Sequence, residues 1–214
     1  MSRVINTATL IAVLKETASG WSRHHDELTQ LDSVAGDGDL GVTVELAGKA
    51  MVDYLADPGE DDIGKILMKC GMQINKASPS TFGTLLASAF MEAGKAVLGH
   101  KEIEFKDLLL LGRSAVEGVK KRGKAEVGDK TLLDALVPAV EAFGEGLAKE
   151  KDAKIILADV VTAAKAGAEA TKQMKAKYSR ASYRQDGAMG LQDAGATAIY
   201  YLIESFAQTL TTRI

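Results

Sequence analysis

Apolar residues return along this chain at intervals of three and four, the spacing that lines them up on one stripe of an α-helix. Leu10, Val13, Leu14 and Trp21 mark a first amphipathic helix, with Asn6 or Thr7 as its cap. A short second helix runs from His25 towards Asp32. Val42, Val44, Leu46, Met51 and Leu55 predict a third, ended by Asp57-Pro58-Gly59. Asp61 or Asp62 caps a fourth that carries Ile63, Ile66, Leu67, Cys70 and Ile74. Ser78-Pro79-Ser80-Thr81 interrupts the pattern and restarts it with Leu85, Leu86, Ala89, Phe90 and Ala93 on one face. Further helices fall near 105–122, 131–149, 152–175 and 194–211, with Pro138 placed to kink the start of its own.

Eight or nine helices result, joined by short loops except for a long one from about 176 to 193. Short loops bring consecutive helices back beside each other, so the expectation is an all-α antiparallel bundle, one domain over residues 1–214. Composition agrees: aromatic residues make up only 5% and prolines number three, which favours helices over strands. Hydrophobic residues at 46% suffice for a sizeable core. The net charge of −3 gives no electrostatic case for nucleic acid or an anionic membrane. A single cysteine, Cys70, excludes an internal disulfide, and its apolar neighbours point to packing. No apolar run approaches the roughly 18 residues of a membrane span. The N-terminus lacks a signal-peptide pattern, so the expected location is cytoplasmic.

Four loops carry chemical residues. The first, LDSVAGDGDLG at 31–41, holds Asp32, Asp37 and Asp39. Three carboxylates brought close repel unless a cation neutralises them, and oxygen ligands suit Mg²⁺, Mn²⁺ or Ca²⁺. An EF-hand does not fit, because no glutamate stands at the twelfth position counted from Asp37. The plainer reading is a solvated turn in which Asp39 caps the next helix. The second loop, KASPSTFGT at 76–84, offers Ser78, Ser80, Thr81 and a helix start as an anion site; ordinary capping by Ser78 or Ser80 explains the same residues. In the third, KKRGKAEVGDKTLLDAL at 120–136, Lys130 is either a phosphate contact or a solvated first-turn lysine. In the fourth, SRASYRQDGAMGLQDAGAT at 179–197, Arg180 and Arg184 are candidate phosphate forks, and Asp193 reads as a helix cap. If these loops share one end of the bundle, they compose a magnesium-nucleotide site for phosphoryl transfer.

Taken together, LDSVAGDGDLG, ASPSTFGT, RGKAEVGDKTLLDA and SRASY followed by GLQDAGAT resemble the nucleotide-binding L subunit of dihydroxyacetone kinases, the DhaL family, over nearly the whole chain. The resemblance implies an eight-helix antiparallel up-and-down barrel with ADP or ATP and a pair of magnesium ions at one end. It places the metal on Asp32, Asp37 and Asp39. Around the nucleotide it places Leu40, Gly41, Val42, Thr43, Ala77, Ser78, Gly123, Leu132, Arg180, Asp193, Ala194 and Gly195, with Arg180 also offsetting charge in the transfer. A separate K subunit is implied to hold dihydroxyacetone through a histidine. Where the phosphotransferase system drives the kinase, an M subunit rephosphorylates bound ADP; elsewhere ATP is consumed. His24, His25 and His100 fall outside the motifs and read as surface residues.

Three departures from the family pattern stand out. Leu40 occupies the place of a histidine in GDGDHG, the stretch INKASPSTFG is poor in the usual glycines, and Leu132 replaces a frequent methionine near the base. They fit either a subgroup acting on a different triose or tetrose, or a regulatory paralogue that binds nucleotide and a protein partner without turnover. A purely structural helical module is the remaining alternative.

Overall fold

Asn6 opens the first helix by accepting the N–H of Thr9 on its side chain at 2.9 Å. From there the computed structural model, which describes residues 4–214, is built of helices. Helix α1 (Thr7–Trp21) passes through a 3-10 turn into the short α2 (His25–Ala35), followed by α3 (Leu40–Ala56). Asp62 caps α4 (Ile63–Ala77) through Lys65, and Ser80 caps α5 (Thr81–Ala96) through Gly83. Then come α6 (Leu108–Gly123), α7 (Leu133–Ala148), α8 (Ala153–Ala170) and α9 (Ala194–Thr211).

Each long helix packs on the next, and α1 closes the circuit by packing on both α9 and α3. The result is an eight-helix antiparallel barrel, with α2 lying outside the ring against α3 and α9. Trp21, Met51, Ile66, Ile74, Leu133 and Ile156 are fully buried in its interior. Trp21 also donates its indole N–H to the Ala198 carbonyl at 2.7 Å, joining the end of α1 to the start of α9. Cys70 is buried with a thiol pushed up to about 12 by burial, which suits a packing role. Among the described residues, no helix is long and apolar enough to cross a membrane.

The expectation of helices alone missed a small ribbon. β1 (Val4–Asn6) pairs antiparallel with β2 (Glu102–Glu104), three residues each, too short to show a period of two. The ribbon closes one end of the barrel. Beside it the Thr7 hydroxyl lies 2.6 Å from the Asp61 carbonyl and 2.8 Å from that of Lys101, and Ile63 donates its N–H to His100. The loops with chemical residues lie at the other end. Two helix bounds shift as well: the segment near 105 begins with a 3-10 turn at Phe105–Asp107, and α8 gives way to another at Thr171–Gln173.

Pro138 has no N–H to offer the carbonyl of Asp134, one turn earlier in α7. That carbonyl faces Gly167 of α8, where an added Cβ would come within 2.0 Å of it. A rigid backbone neighbour cannot move aside as a side-chain tip can. Gly167→Ala is therefore expected to destabilise the fold by about 2 kcal/mol, read from chemical denaturation. An unchanged midpoint would mean that α7 and α8 can separate at little cost.

Candidate metal and nucleotide site

Asp32 sits in the last turn of α2 and turns its carboxylate to the start of α3. It accepts the N–H groups of Asp39 at 3.0 Å and Leu40 at 3.3 Å. The capping role expected of Asp39 thus belongs to Asp32, and the Asp39 side chain makes no cap bond. Glycine makes the turn possible. A Cβ on Gly36 would lie 2.0 Å from the Asp32 carboxylate, and Gly38 adopts a φ of +75°. One carboxylate oxygen from each of Asp32, Asp37 and Asp39 falls within 4.8 Å of the others. Burial raises the Asp39 carboxyl above its ordinary range, and Asp37 and Asp32 raise it further, while Arg180 opposes them. Arg180 pairs with Asp37 at 2.7 Å. Mutually repelling oxygens on a tight turn are the donor set that a hard divalent cation accepts.

Beside this turn lies the start of α5. Ser80 does the capping there, accepting the N–H of Gly83 at 3.0 Å and, at 3.3 Å, the hydroxyl of Thr43 from the first turn of α3. Ser78 is left out of that work. Its hydroxyl is buried, with the residue 2% exposed, and has no hydrogen-bond partner among the described residues. Ala77 is half-buried just before it. In the first turn of α3, Leu40 joins the main core and Val42 faces solvent. Gly41 meets α2, where a Cβ would clash with Thr29 and the His25 carbonyl.

Lys130 is where both expectations fail. It is neither solvated nor placed to meet a phosphate: it is 3% exposed, in the left-handed region at φ +60°, and its ammonium donates to the carbonyls of Thr171 at 2.6 Å and Leu191 at 2.5 Å. Burial lowers its pKa. Two carbonyls from another part of the chain had satisfied it, which no local pattern reveals. Leu132, next in the chain but one, is buried, and Gly123 at the end of α6 lies against Leu85.

Asp193 caps α9 by accepting the Ala196 N–H at 2.7 Å and gives its own N–H to the Thr171 hydroxyl at 2.9 Å. Burial pushes its carboxyl up to about 6; the Ala196 N–H and Lys130 pull the other way, while Asp134 and Asp32 add repulsion. Ala194 is buried, and a Cβ on Gly195 would lie 3.6 Å from Phe82 and 3.9 Å from Leu132. The four loops therefore meet at one end of the barrel. The apolar contacts of the long loop come from small groups: Ala176, Ala181 and Ala188 cluster with Ala35 and Leu191, apart from the main core.

Arg184 does not stand ready as a phosphate fork, because it pairs with Asp186 and donates to the Val34 carbonyl at the end of α2. His24 stacks on Tyr201 at 3.6 Å and His25 lies half-buried beside Asp26 and Glu45, while His100 is exposed. The first two are thus more packed than a surface reading implies. Phe82, Asp134 and Thr171 escaped sequence reasoning. Asp134 alone had a signal, as the acid that follows Lys130 by four residues and accepts the Gly128 and Thr131 N–H groups.

The model of the DAK2 domain matches residues 34–208, most of the chain. The chain belongs to the DAK2 domain family. Within it, the chain is 31% identical over 187 residues to the Escherichia coli K12 protein named PEP-dependent dihydroxyacetone kinase, ADP-binding subunit DhaL, covering 87% of this chain and 89% of that one. It is also 31% identical over 209 residues to the DhaL subunit of PEP-dependent dihydroxyacetone kinase 2 from Listeria innocua, with 97% and 96% covered. Among solved structures, the dihydroxyacetone kinase from C. freundii in complex with AMP-PNP and Mg²⁺ superposes with a TM-score of 0.74 at 23% identity. That match covers 97% of this chain but 35% of the other, so this DAK2 chain spans about a third of that kinase. The eight-helix barrel implied by the family resemblance is the fold observed.

Proposed function

We propose that this chain is the nucleotide-binding subunit of a dihydroxyacetone-type kinase, working in the cytoplasm as a single domain. It passes a phosphoryl group from bound ATP, or from ADP recharged by an M-type phosphotransferase subunit, to a triose held by a K-type partner. The observation that carries this reading is the trio of carboxylate oxygens within 4.8 Å at the loop end of the barrel.

Asp32, Asp37 and Asp39 would hold magnesium, which when bound neutralises nucleotide phosphate charge. The buried, unpartnered Ser78 hydroxyl is a donor waiting for an oxygen, as a buried polar group without a partner is costly. Beside it, the α3 start presents the backbone of Leu40, Gly41, Val42 and Thr43, and Ala77 flanks the serine. Helix N-termini favour anions there. Leu132, Gly123 and the Asp193-Ala194-Gly195 turn would border the nucleoside. Arg180 would leave Asp37 to meet charge developing on the transferred group. No side chain of this chain needs to act as a nucleophile, since transfer between aligned oxygens depends on positioning and charge.

Calorimetric titration with Mg-ADP and Mg-ATP, followed by reconstitution with a K subunit and dihydroxyacetone, tests the reading. Saturable binding and triose phosphate formation are expected. Absence of nucleotide binding would overturn it, and binding without transfer would favour the regulatory alternative.

A further inference from the structure

We infer that Lys130 is a positioning residue: its buried ammonium sets the spacing between the loop before α7 and the N-terminus of α9, and through it the fit of a nucleotide. This rests on the nucleotide reading above and adds to it a residue that contacts no ligand.

A lysine is rarely this buried unless its charge is satisfied. Here both known acceptors belong to other segments. Thr171 ends α8, and Leu191 lies two residues before Asp193. Thr171 in turn receives the Asp193 N–H on its hydroxyl, so the lysine and the α9 cap grip the same residue from two sides. Lys130 itself is pinned. Asp134 accepts the N–H groups of Gly128 and Thr131, on either side of it, and the left-handed φ of Lys130 is the backbone shape that lets the ammonium turn inward. A strained backbone maintained by surrounding hydrogen bonds is a pattern found where geometry matters to function. Leu132 follows this loop directly and Gly195 follows Asp193; the two already approach each other, with 3.9 Å from the Leu132 Cβ to a Cβ built on Gly195. One charged group thus couples two of the segments proposed to border the nucleoside. By contrast, neither its hydrogen bonds nor its carbonyl partners involve the turn that carries Asp37 and Asp39.

The test compares wild type with Lys130→Met, matched in length but without charge or donors. Mg-ADP affinity is read by calorimetry and Mn²⁺ affinity, without nucleotide, by electron paramagnetic resonance. Groups that hold direct ligands in place are typically worth about 10- to 100-fold at metal sites, so a comparable fall in Mg-ADP affinity is expected here while Mn²⁺ affinity stays unchanged. Should Lys130→Met fail to fold, Lys130→Gln, which is neutral and too short to reach both the Thr171 and Leu191 carbonyls, carries the same expectation. Equal Mg-ADP affinity in the variant overturns the inference, as does a parallel loss of Mn²⁺, which marks a general stability role. Failure of the wild type to bind Mg-ADP overturns the nucleotide reading itself.

Discussion

Asp39→Asn is expected to weaken Mg-ADP binding by at least about 100-fold while leaving the ligand-free protein as stable as before, or slightly more so. The two halves follow from one geometry. Asp39 makes no helix-cap bond, that role being taken by Asp32, so the fold loses with its charge only the attraction of Arg180. In the ligand-free state its carboxylate is repelled by Asp37 and Asp32, and an amide removes that repulsion. A cation reverses the balance, because the same oxygens then become ligands. Residues that merely support metal ligands are worth about 10- to 100-fold in affinity, and a ligand itself is worth no less. Melting with and without Mg-ADP, together with calorimetry, separates the effects. A variant that keeps the wild-type shift in melting temperature would remove Asp39 from the metal site. Asp32 is the poorer choice for this experiment, since its loss also uncaps α3.

Arg180→Gln is expected to act with opposite signs on two measurements. With a K subunit and dihydroxyacetone, turnover should fall by about a thousandfold or more, the range in which arginines that meet a transferring phosphoryl group operate. Binding of Mn²⁺ alone should become tighter, because Arg180 pairs with Asp37 in the ligand-free protein and its positive charge opposes any arriving cation. An unfolded or distorted variant would lose both properties, so the crossing of signs is diagnostic. Unchanged turnover would exclude Arg180 from the chemistry, and weaker Mn²⁺ binding would exclude the competition.

Much of this molecule was legible because its helices are long and amphipathic. Three-and-four spacing located them, and Asn6, Asp62 and Asp193 cap as local rules expect. The closure of the ring was not legible from the pattern, because nothing in the periodicity says that α1 and α9 are neighbours; the family resemblance supplied it. The same limit recurs at the site. Asp32 caps a helix seven residues away, Lys130 is satisfied by carbonyls 41 and 61 residues distant, and Arg184 is taken up by Val34, 150 residues before it. Local rules assign polar side chains to local partners, and each of these found a partner across the barrel end. Ser78 shows the reverse case: its neighbour Ser80 took the cap, and the hydroxyl left over is the informative one.

The two ends of the barrel are fastened differently, and this governs where ordering has to happen. The base is sealed by the β1–β2 ribbon and by backbone bonds around Thr7, Ile63 and His100. The rim segment that bears Arg180 is held by a small alanine cluster and by exposed polar links, Arg180 to Asp37 and Arg184 to the Val34 carbonyl. Contacts of this kind are released at little cost. A ligand arriving at the rim therefore meets a rigid cup with one lightly moored edge. The entropy lost on binding is confined to that edge, and the eight staves contribute a shape that was fixed beforehand.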